Sequence, residues 1–122
     1  MKRIVRVFRA ISDPTRLRIL ALLLEEELCV CELQWILGMS QSRVSHQLRI
    51  LKDIDLVIEE KRGKWIYHKW NDRLDLPKAK EFKKLLLLWL SESEEIGKDR
   101  ERLRRYLAEK PELPVCPSFV RE

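Results

Sequence analysis

Two apolar helical repeats separated by only Gly38-Met39-Ser40 constrain this chain more than any other feature. Leu33, Ile36 and Leu37 close one amphipathic helix at Gly38, a residue suited to the left-handed backbone that ends helices. Ser40 is suited to cap the next helix, whose Val44, Leu48 and Leu51 fall at i, i+4 and i+7. So short a connection forces the pair into a helix-turn-helix. Upstream, Ile4, Val7, Phe8 and Ile11 predict a short first helix ending near Ser12. Asp13-Pro14, an N-cap followed by a proline at the first helical position, opens a second helix filled by Leu17, Ile19, Leu20, Leu23 and Leu24.

Beyond Leu56 the period changes from helical to alternating. Leu56-Val57-Ile58 and Trp65-Ile66-Tyr67-His68-Lys69-Trp70 flank Gly63, which centres a hairpin. Its tip carries Lys61, Arg62 and Lys64, so the expected fold is mostly α with a two-stranded β wing beside the helix-turn-helix. Pro77 then opens a long helix in which Phe82, Leu85, Leu86, Trp89 and Leu90 form one face, widened by Leu87 and Leu88. A helix that apolar needs cover on more than one side. A domain of 122 residues offers little for this, so the expected cover is the same helix of a second subunit, with the first helix contributing. The chain is therefore expected to be a homodimer joined through its N- and C-terminal helices.

Ile96, Leu103 and Leu107 predict a further helix within the charged stretch from Ser91 to Lys110. Pro111, Pro114 and Pro117 exclude a helix after it. Residues 1–110 are read as one domain and 111–122 as a Pro-rich C-terminal arm carrying Cys116.

Composition narrows the classes. The formal charge is +5, which favours an anionic partner. The apolar run from Leu85 to Leu90 is far short of the roughly 20 residues that cross a bilayer. Met1-Lys2-Arg3 is followed by no secretory apolar region, so the expectation is a soluble, cytoplasmic protein without a membrane partner. Cys-x-x-Cys, a Gly-rich phosphate loop and a His pair suited to catalytic metal are all missing, which argues against an enzyme.

The cysteines are three, an odd number, and Cys29 and Cys31 are too close to form an unstrained disulfide with each other. In a reducing cytosol they persist as thiols, available as soft ligands or redox groups. On an ideal helix residues i and i+2 point about 200° apart, so both cannot face one ion while helical. Binding must distort the first turn of the helix or use a turn that is already irregular.

Outside its buried stripe the second helix of the pair is polar. Arg43 is suited to guanine, Gln41, Ser42, Ser45 and His46 to base edges or phosphates, and Arg49 to the backbone further along. Arg62 and Lys64 on the wing are suited to phosphates.

Asp13-Pro14-Thr15-Arg16-Leu17-Arg18-Ile19-Leu20, Glu27-Leu28-Cys29-Val30-Cys31-Glu32-Leu33, Ser40-Gln41-Ser42-Arg43-Val44-Ser45-His46-Gln47-Leu48 and the Gly63 wing together resemble the ArsR family of winged-helix metalloregulators. The resemblance covers residues 3 to 90. Its Cys-Val-Cys signature is similar to that of the arsenic-responsive members, which implies a dimeric repressor released from operator DNA by As(III) or Sb(III), with no permanent cofactor. It favours Ser42, Arg43, Ser45 and His46 as the reading set. The familiar arsenic site has a third cysteine three residues after the second, where this chain has Gln34. Cys116 is the other thiol and hence the candidate third ligand with Cys29 and Cys31. A Cd(II) or Pb(II) sensor and a thiol-redox switch of the same fold are the alternatives.

Overall fold

In chain order the elements are α1 (Lys2–Ile11), α2 (Pro14–Glu25), β1 (Leu28–Cys29), α3 (Val30–Leu37), α4 (Gln41–Asp53), β2 (Val57–Arg62), β3 (Trp65–Trp70), α5 (Ala79–Leu90) and α6 (Glu94–Glu109), in a computed structural model that describes residues 1–109. The boundaries follow local chemistry. The Asp13 carboxylate accepts the Arg16 amide at 3.0 Å ahead of Pro14, and the Ser40 hydroxyl accepts the Arg43 amide at 3.2 Å. Gly38 ends α3 at φ 67° and Gly63 turns the hairpin at φ 62°. A Cβ at either glycine would meet no atom within 4 Å, so the requirement is backbone conformation, not space.

The core gathers around α2, whose Ile19, Leu20 and Leu22 are fully buried against Leu33 and Ile36 of α3 and Val44 and Leu51 of α4. Fully burying a side chain of this kind contributes about 1.5–3 kcal/mol, so α2 is the packing centre. The last helix folds back over α2 and α3 and adds Ile96, Leu103 and Tyr106 to the same core. Ion pairs pin it to α2. Arg18 makes a bidentate pair with the fully buried Asp99, at 2.8 and 3.0 Å, and Arg100 meets Glu25 at 2.8 Å.

The hairpin pairs Val57 with Trp70 and Arg62 with Trp65, which places Gly63 at its turn. The expected two-stranded wing is present as β2 and β3, and β1 adds a third strand to their sheet. Its order is β1-β3-β2, with Leu28 opposite His68 and Cys29 opposite Tyr67. A two-residue strand is too short to display alternation. The fifth helix begins at Ala79 and not at Pro77, because Lys78 has φ 59°, a left-handed backbone that no right-handed helix can include. Among the described residues no helix is long and apolar enough to cross a membrane. The expected arm, 111–122, lies outside the described residues.

Candidate functional site

Cys29 is the last residue of β1 and the N-cap of α3, with extended backbone at φ −88° and ψ 169°. Cys31 stands at the second position of the helix itself. The opposed directions expected of two helical cysteines therefore do not arise, since only one of them is helical. The two side chains pack together against Trp65 of β3. Both are buried in the protomer, at 2% and 7% exposure. Burial pushes the Cys29 thiol up to about 12, so at neutral pH it holds its proton. Among the described residues no three His, Cys, Asp or Glu side chains gather as a metal site, and Cys116 lies outside them.

Glu32 organises the turn that carries the thiols. Its carboxylate accepts the Cys29 amide at 2.9 Å, while the Cys29 sulfur accepts the Glu32 amide, a capping box with sulfur in the hydroxyl's place. The other carboxylate oxygen accepts the hydroxyl of Tyr106 from α6. Both side chains are nearly inaccessible to water, and burial followed by the Glu32 contact pushes the Tyr106 hydroxyl well above its usual range. Tyr106 also packs its ring on Trp35 of α3, 5.5 Å between centroids. The thiol turn and the last helix are thus one bonded unit.

On α4, Val44, Leu48 and Leu51 are buried, and Gln41, Ser42, Arg43, His46 and Arg49 are exposed, with Ser45 half-buried on the flank. The polar residues expected to read DNA accordingly share the outward side of one helix. The Arg43 guanidinium donates to the Thr15 hydroxyl at 3.0 Å, which holds it near the start of α2. Arg16 is internal scaffolding: it donates to the Ala10 carbonyl at 2.6 Å and to Gln47 at 2.8 Å, joining α1, α2 and α4.

The wing residues divide. Lys61 and Lys64 are exposed at the hairpin tip and form no ion pair among the described residues. Arg62 is exposed but engaged: its guanidinium meets Glu27 at 2.5 Å, pairs with Glu60 and lies 4.9 Å over the Tyr67 ring. The structure therefore ties Arg62, whose side chain stays 46% exposed, to the residues leading into β1.

Residues 13–59 match the family model described as bacterial regulatory protein, arsR family. The arsenic resistance transcriptional regulator ArsR1 of Pseudomonas putida is 30% identical over 113 residues, covering 90% of this chain and 84% of that protein. The chain belongs to the arsR family of bacterial regulatory proteins. The cadmium resistance transcriptional regulatory protein CadC homolog of Staphylococcus aureus is 41% identical over 70 residues, covering 57% of this chain and 58% of that protein. The homodimeric winged helix-turn-helix domain of Mb0332 from Mycobacterium bovis superposes with a TM-score of 0.64 at 25% identity, covering 76% of this chain and 82% of that one. The chain spans just over half the length of several curated relatives it matches.

Three partners in this ArsR-family site escape the sequence reading: Glu32, Tyr106 and Glu27. Cys29-x-x-Glu32 carries the spacing of a capping box and was a usable signal. Tyr106 lies 74 residues from Glu32, and nothing local announces that contact.

Proposed function

We propose that this ArsR-family chain is a homodimeric repressor that holds operator DNA through α4 and the wing and releases it when As(III) or Sb(III) is captured by Cys29, Cys31 and Cys116. The observation that carries this reading is the packing of Cys29 on Cys31 at the N-cap of the first helix of the helix-turn-helix. Gln41, Ser42, Arg43, Ser45, His46 and Arg49 form the DNA-reading side, with Arg62 and Lys64 of the wing on phosphate. The exposed edges of α1 (Ile4 and Phe8) and α5 (Leu85, Leu88 and Trp89) support a helical dimer interface.

The length of chain is compatible with a third sulfur from Cys116, which follows the end of α6 at Glu109 by seven residues, an extended span of up to about 23 Å, while Tyr106 near that end touches Glu32 beside the pair. A proton-holding thiol suits trivalent arsenic. Arsenous acid brings three hydroxides, and three thiols condense with it to form three S–As bonds and three waters, releasing no net proton. Capture draws the Cys29 sulfur from its cap on α3, loosening the helix against which α4 packs.

The identity with the CadC homolog favours a second reading, a soft divalent sensor. A divalent ion must expel thiol protons, so its affinity rises about tenfold per pH unit for each proton released. Arsenite affinity stays nearly flat over the same range. The deciding experiment titrates wild type and Cys116→Ser with arsenite, following sulfur-to-arsenic absorbance together with duplex release. Loss of both signals in the variant is expected; equal duplex affinity with and without arsenite overturns the proposal.

A further inference from the structure

We infer that Arg6 and Arg9 of α1 form a second DNA-contact edge, gripping the phosphate strand on the side of α4 opposite the wing. The inference rests on the reading that α4 enters the major groove. Along α4, Ser45, Arg49 and Lys52 border a cleft whose other wall is Glu59, Ile66 and His68 of the hairpin. Ile50, Asp53 and Ile54 border a different cleft, about 260 Å³, walled by Arg6, Arg9 and Arg16. At roughly 100° per residue these two flanks lie about 130° apart on the outward side of α4, and Ser42 and His46 point between them.

A major groove about 12 Å wide has a phosphate strand on each side of an inserted helix. Lys61 and Lys64 supply positive charge on one side. On the other, Arg16 is committed to Ala10 and Gln47, but Arg6 and Arg9 are exposed and form no ion pair among the described residues. The Arg6 guanidinium makes one long contact, 3.4 Å to the Asp53 carbonyl. Asp53 is the single carboxylate lining this cleft, against three guanidiniums. Arg43, held at Thr15, continues the same basic line toward the start of α4. Arg6 and Arg9 project about 150° around α1 from Ile4 and Phe8, so a partner helix covering that apolar edge leaves the arginines open.

The test measures binding of the full chain to a random-sequence duplex over a series of salt concentrations. It compares wild type, an Arg6→Gln/Arg9→Gln variant and a control, Lys98→Gln/Arg104→Gln. The control removes the same charge from exposed positions on α6 that form no ion pair among the described residues. Each released phosphate contact contributes about 0.9 to the slope of log affinity against log salt, so losing four contacts per dimer lowers it by about 3.6. The expected result is that loss in the α1 variant and the wild-type slope in the control. A wild-type slope in the α1 variant, or an equal loss in the control, overturns the inference while leaving DNA binding intact. Failure of the wild type itself to bind any duplex defeats the underlying reading and the inference with it.

Discussion

The Tyr106 hydroxyl on the last helix donates to the Glu32 carboxylate on the first helix of the helix-turn-helix, and both groups are buried. Glu32 meanwhile accepts the Cys29 amide at 2.9 Å. Tyr106→Phe removes a donor from a buried carboxylate without changing the ring's packing, and stability should fall by about 1–3 kcal/mol. Urea unfolding of the two proteins measures this, and coincident midpoints would show that the contact contributes nothing.

The Arg18–Asp99 pair yields an ordering. Arg18 also reaches Glu95 at 3.3 Å, whereas fully buried Asp99 has among the described residues, besides Arg18, only Arg102 at 3.6 Å. Arg18→Met therefore strands a buried carboxylate and should cost about 3–5 kcal/mol, more than Asp99→Asn, which leaves a guanidinium with another partner. Thermal melts rank the two; the reverse order would contradict the assignment of the burial cost to Asp99.

Alkaline titration offers a third check. The Cys29 thiol holds its proton to about pH 12 in the folded chain, while an unfolded one loses it near 9.0, chiefly because burial disfavours the thiolate. Between those values the folded state binds more protons, so the stability present below pH 9 is lost as pH rises, by about 1.4 kcal/mol per unit. Tyr106, also pushed up by burial, adds to the slope above its ordinary 10.0. Cys29→Ser should be flatter than wild type between pH 9 and 10, and parallel curves would refute the burial effect.

A fourth prediction concerns assembly. Leu88 and Trp89 are 64% and 61% exposed on α5, and Phe8 is 60% exposed on α1. Charging this surface with Trp89→Glu should shift sedimentation from dimer to monomer at equal concentration. A variant that still sediments as a dimer would move the interface elsewhere.

Where a single residue fixes the local backbone, the sequence was explicit. Asp13-Pro14, Gly38, Ser40 and Gly63 each act within a few neighbours, and the helices and the hairpin turn fall where they stand. The alternation of Trp65 to Trp70 likewise marked β3. Features set by distant partners were not readable. The two-residue β1 exists through its pairing with β3, and the engagement of Arg62 depends on Glu27, 35 positions away in sequence. Charge identified Arg62 as a cation but not what it faces. The same limit applied to the thiols. Their spacing marked them as a pair, yet the extended backbone of Cys29, which removes the angular conflict, follows from strand pairing and capping together.

A sulfur at the head of α3 has one more consequence. Serine or aspartate in that position would anchor the opening turn by about 1 kcal/mol, whereas a thiol is a feeble acceptor. The sulfur is thus the weak half of a two-part clasp whose other half is Glu32, and slipping that half alone demands little work.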